Sequence, residues 1–170
     1  MQLLKSNTIK IKTYYSHKLK TEMVAIYNPG NMEDEDILVI YDQVELLQNQ
    51  VPCYHFYIVC KQDMNIAGHI SLRTKTSYEE EYLWGNMGYT VNPKYQGRRY
   101  AYKASKLVIG FARKCKMNQI YMTVDPTNIA SIKTILNLGG YYLETIEVPK
   151  DSSLYQVEQC DISCRYCVYI

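Results

Sequence analysis

The chain of 170 residues falls in the size range of one domain, at about 150 residues each, and is long enough to bury a core without disulfide staples. Hydrophobic residues at 47% and charged residues at 21% exclude disordered, collagen-like and coiled-coil chains. Lys and Arg number 19 against 17 Asp and Glu; the formal charge of +2 gives no general attraction to nucleic acid or anionic membrane, so any anion site must be local.

In chain order, the amino-terminal run MQLLKSNTIKIK has no apolar h-region, and no window reaches the roughly 18 apolar residues of a membrane span, which points to a cytoplasmic protein. Alternation at Ile9 and Ile11 predicts a strand around Thr8 to Tyr15, and Asn28-Pro29-Gly30-Asn31 a turn. Glu33, Asp34, Glu35 and Asp36 suit a helix N-terminus, and Ile37, Ile40, Val44 and Leu47 share one helical stripe, predicting a helix near 34–49. The period then changes to two. Tyr54, Phe56 and Ile58 alternate with His55, Tyr57 and Val59, and Ile66, Gly68, Ile70 and Leu72 alternate with Ala67, His69, Ser71 and Arg73, as two strands of a hairpin joined through Lys61 to Asn65. A polar stretch from Thr74 to Glu81 leads to a third strand, Leu83 to Val91, stopped by Asn92-Pro93.

From Gly97 the pattern is helical, with Ala101, Ala104, Val108, Phe111 and Cys115 at steps of three and four. Ile120, Met122 and Val124 make a short strand ending at Asp125-Pro126. Thr127 or Asn128 can cap the next helix, which carries Ile132, Ile135 and Leu136 and stops at Gly139-Gly140. Strand-like runs over Tyr141 to Val148 and Ser163 to Ile170 complete an α/β chain read as one domain over 1–170. The 18 Tyr against 2 Phe imply many half-buried aromatic positions.

The junction Val91-Asn92-Pro93-Lys94-Tyr95-Gln96-Gly97-Arg98-Arg99-Tyr100-Ala101 joins a strand to an amphipathic helix. A helix N-terminus offers unpaired N–H groups and partial positive charge, Gly97 admits a ligand to the backbone, and Arg98 and Arg99 add full charges, so a diphosphate is the natural guest. Taken in isolation, the same residues also read as a turn with two solvated arginines.

This run resembles motif A of the GNAT superfamily of N-acyltransferases, Gln/Arg-x-x-Gly-x-Gly/Ala after a strand ending in Val-x-Pro, with Val91, Pro93, Gln96 and Ala101 in the matching positions. Asn128-Ile129-Ala130-Ser131-Ile132 followed by Leu138-Gly139-Gly140 resembles motif B of the same superfamily, and the resemblance covers residues 54–148. It implies a GNAT-like fold, with a mixed, mostly antiparallel sheet of about six to seven strands flanked by helices. The activity implied is transfer of an acetyl group from acetyl-CoA, the cosubstrate, to a small-molecule primary amine by direct attack without a covalent enzyme intermediate. In that case the strand end Tyr89, Thr90 and Val91 pairs with the pantetheine arm. The amides of Gln96, Gly97, Arg98, Arg99, Tyr100 and Ala101 cradle the pyrophosphate, and Asn128 and Ser131 contact the pantetheine and phosphate region. The weak net charge argues against a nucleic-acid partner, a zinc site lacks a fourth ligand at suitable spacing so no metal is expected, and the protein is either a monomer or a homodimer. Two departures stand out: Arg99 replaces the usual Gly, and Ile135 replaces the Tyr that protonates the departing thiolate in many members, leaving Tyr141 or Tyr142 as substitutes. An inactive acyl-CoA-binding module, and acetylation of a protein or of aminoacyl-tRNA, are the alternatives.

The strand from Trp84 to Val91 has no acid to serve as the base that many relatives place there. Period-two alternation sets His69, Ser71 and Arg73 on one strand face. That face is either solvated or lines an acceptor pocket, with His69 as base and Arg73 holding a substrate carboxylate or phosphate. Glu79, Glu80 and Glu81 either bind a cationic acceptor, Glu81 foremost, or form a solvated loop; Asp125 either orients a water or makes the Asp-Pro turn. The six Cys read as reduced thiols. Cys160, Cys164 and Cys167 fit the spacing by which radical SAM enzymes hold an iron–sulfur cluster, but only three residues follow. Strand alternation would also point Cys164 and Cys167 to opposite faces, so these cysteines read as structural.

Overall fold

The computed structural model describes residues 7–15, 18–47, 50–74 and 80–170, with side chains from Ala25 onward except those of Glu80 and Glu81. Strands β1 (Asn7–Tyr15) and β2 (Lys18–Ile26) pair as an antiparallel ribbon. Strands β3 (Met32–Glu33), β4 (Ile37–Leu46), β5 (Pro52–Cys60), β6 (Ile66–Arg73) and β7 (Met87–Val91) form a five-stranded sheet in sequence order. Helix α1 (Tyr100–Lys114), β8 (Gln119–Val124), α2 (Ile129–Asn137), β9 (Tyr141–Glu147), α3 (Ser153–Glu158) and β10 (Ile162–Tyr169) follow, with the last three strands in a second sheet ordered β8-β10-β9. Every ladder among the described residues is antiparallel.

The helix expected near 34–49 is strand β4. Its residues alternate, with Ile37 and Val39 buried, and pair with β5 from Ile37 opposite Cys60 to Leu46 opposite Pro52. Branched Ile37, Val39, Ile40 and Val44 suit a pleated, half-buried surface better than a helix interior. The acidic run is a turn: the Asp34 carboxylate accepts from the N–H groups of Asp36 and Ile37 at 2.9 and 3.0 Å, and Asp34 and Asp36 both pair with Lys103 at the start of α1. The strand expected from Leu83 begins only at Met87, because Glu80–Trp84 make a π-helical turn whose Trp84 indole donates to Ser153 Oγ at 2.9 Å. Helix α3 was not expected; Ser152 caps it by accepting from the Tyr155 N–H at 3.2 Å.

The core lies between α1 and one face of the five-stranded sheet. Ala104, Val108 and Phe111 pack on Tyr54, Phe56, Ile58, Ile70 and Leu72, with the Phe111 ring 4.9 Å from that of Tyr54, edge to face. Alternation therefore turns Cys53, His55 and Tyr57 of β5 and His69, Ser71 and Arg73 of β6 to the opposite face. In β10, Cys164, Tyr166 and Val168 join the core, while Cys167 contacts Tyr141. No disulfide joins the cysteines among the described residues.

The two sheets meet at one end and part at the other. The isolated Gly85–Met122 bridge is the contact, and a Cβ on Gly85, whose φ is +69°, would stand 2.6 Å from the Tyr121 carbonyl oxygen. Asn86, 2% exposed, locks this end: its N–H donates to the Tyr121 carbonyl at 2.7 Å, its Oδ1 accepts from the Tyr121 N–H at 2.8 Å, and its Nδ2 donates to the Arg73 carbonyl at 3.3 Å. Asn86→Ala strands buried groups on two neighbouring strands. We expect it to lower unfolding free energy by about 2–3 kcal/mol in urea titration.

Candidate active site

Two cavities flank the opening between β7 and β8. The first, of about 680 Å³, lies over the junction of β7 and α1 and is lined by the strand end and by Gln96, Gly97, Arg99 and Ala101. Its loop is held from beneath. Tyr95 and Tyr100 are buried and stack with centroids 6.3 Å apart; the Tyr95 hydroxyl donates to Asp63 at 2.8 Å, and the Tyr100 hydroxyl meets Cys60 Sγ at 3.3 Å. The Tyr95 hydrogen bond, with those from Asn65 and Lys94, holds the Asp63 carboxyl well below the usual carboxylate range. Between the two tyrosines, Gln96, Gly97, Arg98 and Arg99 stand exposed. Gly97 has φ +78° with nothing within 4 Å of a notional Cβ, so a ligand can approach its backbone. The ladder of α1 begins with Lys103 N–H donating to the Arg99 carbonyl at 3.0 Å, leaving the amides of Tyr100, Ala101 and Tyr102 ahead of it. No acid occupies the first turn, and the Arg99 guanidinium lies 4.7 Å from the Tyr102 ring centroid.

The second cavity, of about 310 Å³, is lined by the polar face of β6, Trp84, β8, Asp125 and the α3 end. It shares Tyr89, Thr90, Asn128 and Ser131 with the first. Asn128 caps α2 by accepting from the Ser131 N–H at 3.1 Å, and the Tyr89 hydroxyl reaches the Ser131 carbonyl at 3.4 Å, spanning the opening from β7 to α2. Burial raises the Tyr89 phenol above its ordinary value, so it keeps its proton at neutral pH. His69 enters the same cavity. Burial first and the neighbouring His55 second push its imidazole below the ordinary value, so it is mainly neutral at pH 7. Arg73 lies 5.4 Å from the Trp84 ring centroid, and its buried Nε has no hydrogen-bond partner among the described residues. Cys160 lines the wall as a protonated thiol, raised by burial and by Asp125 and Glu158, and is a poor nucleophile in that form.

A family model for the acetyltransferase (GNAT) domain matches residues 11–140, most of the chain. The chain belongs to the GNAT family of acetyltransferases. Solved structures of similar fold include a GNAT-family acetyltransferase from Bacillus anthracis, 20% identical with a TM-score of 0.54, covering 68% of this chain and 65% of that one. Ribosomal-protein-S5-alanine acetyltransferase from Vibrio fischeri is 19% identical with a TM-score of 0.54, covering 69% and 61%. The microcin C7 self-immunity acetyltransferase MccE, solved with acetyl-CoA and AMP, is 19% identical with a TM-score of 0.53, covering 69% and 61%. At these identities the likeness is one of fold, and this chain spans less than two thirds of each of the three. No curated protein sequence matches it.

Within this GNAT frame, the structure brings most of the expected site residues to one opening. Tyr89, Thr90, Val91, Gln96, Gly97, Arg99, Tyr100, Ala101, Asn128 and Ser131 line the first cavity, while His69 and Arg73 line the second. Arg98 turns toward Tyr95, 5.7 Å from its ring centroid. Tyr142 is not brought in: it lies on β9, lines neither cavity, and its hydroxyl is bound to Thr145 at 2.8 Å. Its place in the sequence just past α2 suggested proximity, but pairing with β10 opposite Tyr166 carries it away. Ile135, standing where many GNAT members have Tyr, lines the second cavity with an aliphatic surface. Residue 79 lies outside the described residues, as do the side chains of Glu80 and Glu81. Asp125 makes its turn, accepting from the Thr127 N–H and hydroxyl, both at 2.7 Å. The Tyr89 side chain was missed: the sequence reading used only its backbone, and no periodic signal says that its ring crosses to α2.

Arg99 carries φ +60° and ψ 22°, the left-handed region, which explains why Gly is usual there and costs an L residue roughly 1 kcal/mol. Arg99→Gly is expected to raise the thermal midpoint of the free protein slightly while removing a cation from the cavity rim, a split that scanning fluorimetry with and without coenzyme A reads directly.

Proposed function

We propose that this chain is an acetyl-CoA-dependent N-acetyltransferase whose acceptor is a small-molecule primary amine carrying an anionic group. The observation that carries the reading is the meeting of two cavities at Tyr89, Thr90, Asn128 and Ser131, with free helix amides on one side and a neutral imidazole on the other. The residues present fit coenzyme A. The open Gly97 backbone, the leading amides of α1 and Arg99 suit a diphosphate, and the outer edge of β7, unpaired beyond the Gly85 bridge among the described residues, suits an amide-bearing arm. When bound, the coenzyme supplies an acetyl thioester.

On the acceptor side, Arg73, whose Nε has no hydrogen-bond partner among the described residues, receives an anionic group and sets the amine toward His69. His69 removes the proton that an amine carries at neutral pH, making it nucleophilic. The Tyr89 hydroxyl holds a proton beside the α2 N-terminus and stands in for the phenol missing at Ile135. The Cys160 thiol stays protonated, which favours direct attack over an acyl-cysteine route. A 310 Å³ cavity suits a small acceptor.

Calorimetry with acetyl-CoA, followed by thiol release across amines with and without a carboxylate, tests this reading. Binding heat with release favoured by carboxylate-bearing amines is expected. Absence of heat removes the coenzyme assignment, heat with no release by any amine leaves a binding module, and release only with peptide amino termini makes the acceptor a protein. With an accepted amine, kcat/KM should rise with pH through a midpoint below that of an ordinary imidazole, since the working form of His69 is neutral. His69→Gln should abolish that limb and cut the rate about a hundredfold. Tyr89→Phe should lower kcat at least tenfold with KM little changed, measured by the same thiol assay.

A further inference from the structure

The sheet face that presents His69 continues away from the cavity as a line of polar side chains crossing three strands. His69 on β6 and His55 on β5 are diagonal neighbours, as His55 faces Ser71 and His69 faces Tyr57 across the ladder; Glu45 on β4 is diagonal to His55 in turn. The side chains meet in series. Glu45 Oε1 lies 2.9 Å from His55 Nε2, and His55 Nδ1 lies 3.3 Å from His69 Nε2, with the two rings 5.3 Å apart at 31°. His69 lines the acceptor cavity, and Glu45 at the far end is half exposed.

We propose that Glu45 and His55 are positioning residues for His69, forming a carboxylate–imidazole–imidazole series that sets its tautomer and holds the charge it collects. This rests on the reading of His69 as the base. An ionised carboxylate only accepts hydrogen bonds, so His55 donates from Nε2 to Glu45 and presents the lone pair of Nδ1 to His69. Neutral His69 must then carry its proton on Nε2, which leaves Nδ1 as its basic nitrogen. When Nδ1 takes a proton from the acceptor ammonium, the Nε2 proton of His69 passes to Nδ1 of His55. His69 ends neutral, and His55 becomes an imidazolium facing Glu45. After product leaves, the transfers run in reverse and His69 Nδ1 releases its proton to water. The series separates the positive charge from the reacting amine and places it beside a carboxylate.

His69 feels Asp42 of β4 and the Tyr57 ring at 6.2 Å, shares its strand face with Arg73, and shares the cavity with Asp125, Glu158 and Cys160. His55 also has Cys53 nearby, and Glu45, Cys53 and His55 hold possible ligand atoms within 4.8 Å of one another. A divalent metal there would take the His55 Nε2 that the series assigns to Glu45, so metal occupancy is the direct competitor.

Nitrogen-15 spectra of the imidazole rings in the resting protein test the series without turnover, and with three histidines in the chain each signal can be assigned by substitution. We expect His69 as the Nε2–H tautomer. That bias should be lost in Glu45→Ala and in His55→Phe and kept in Glu45→Gln, whose amide oxygen still accepts. An Nδ1–H tautomer in the parent protein, an unchanged tautomer in Glu45→Ala, or one equivalent of zinc in the protein as purified overturns the proposal. Failure of the His69→Gln pH profile with an intact tautomer bias would instead fall on the reading of His69 as the base.

Discussion

One buried carboxamide holds two sheets together at one end and leaves them apart at the other. Asn86 satisfies groups on both neighbouring strands at once, and Gly85 permits the approach because it has no Cβ to meet the Tyr121 carbonyl. Past this point β7 and β8 have no further pairing among the described residues, and the space between them is spanned by Tyr89 reaching to α2. Both cavities open from that gap. The arrangement places hydrogen-bonding backbone along β7, a helix N-terminus beyond it and a polar sheet face behind it.

The cavity over the junction of β7 and α1 depends on a different device, because a loop of exposed polar residues needs an anchor to hold its amides in one direction. Tyr95 and Tyr100 supply it, buried on either side of the loop and tied to Asp63 and Cys60. The rigid backbone between them tolerates Arg99 in the left-handed region. The cavity thus exchanges some local strain for an extra cation at its rim, a kind of compromise that functional sites often hold.

Elements with a strong, single periodicity were legible. Helix α1, the β5–β6 hairpin, β8 and α2 lie where the apolar spacing predicted them, with the first motif at the junction of β7 and α1 and the second on α2. Strand β4 was misread because Ile37, Ile40 and Val44 fit a helical stripe as well as a strand, and only pairing with β5 decides between the two. The family model begins at residue 11, so the opening segment, silent in the motifs, is part of the same family region. The site was legible where backbone and loop chemistry define it and illegible where side chains from distant strands converge. Tyr142 looked close along the chain and is not, whereas Glu45 and His55 lie 24 and 14 residues before His69 and join it in a line.

What the sequence determined by itself is the set of local choices: which runs fold as helix or strand, where Gly97 and Asn128 stop one element and start the next, and which polar residues share the face of β6. Those follow from periodicity, capping and turn chemistry, which act over a few residues. Only the tertiary structure decided that the sheet divides at Asn86, that Tyr89 spans the opening to α2, and that three side chains on three strands fall into series. Each depends on strand register, which is set by the burial of a whole face and carries no signal within any one segment.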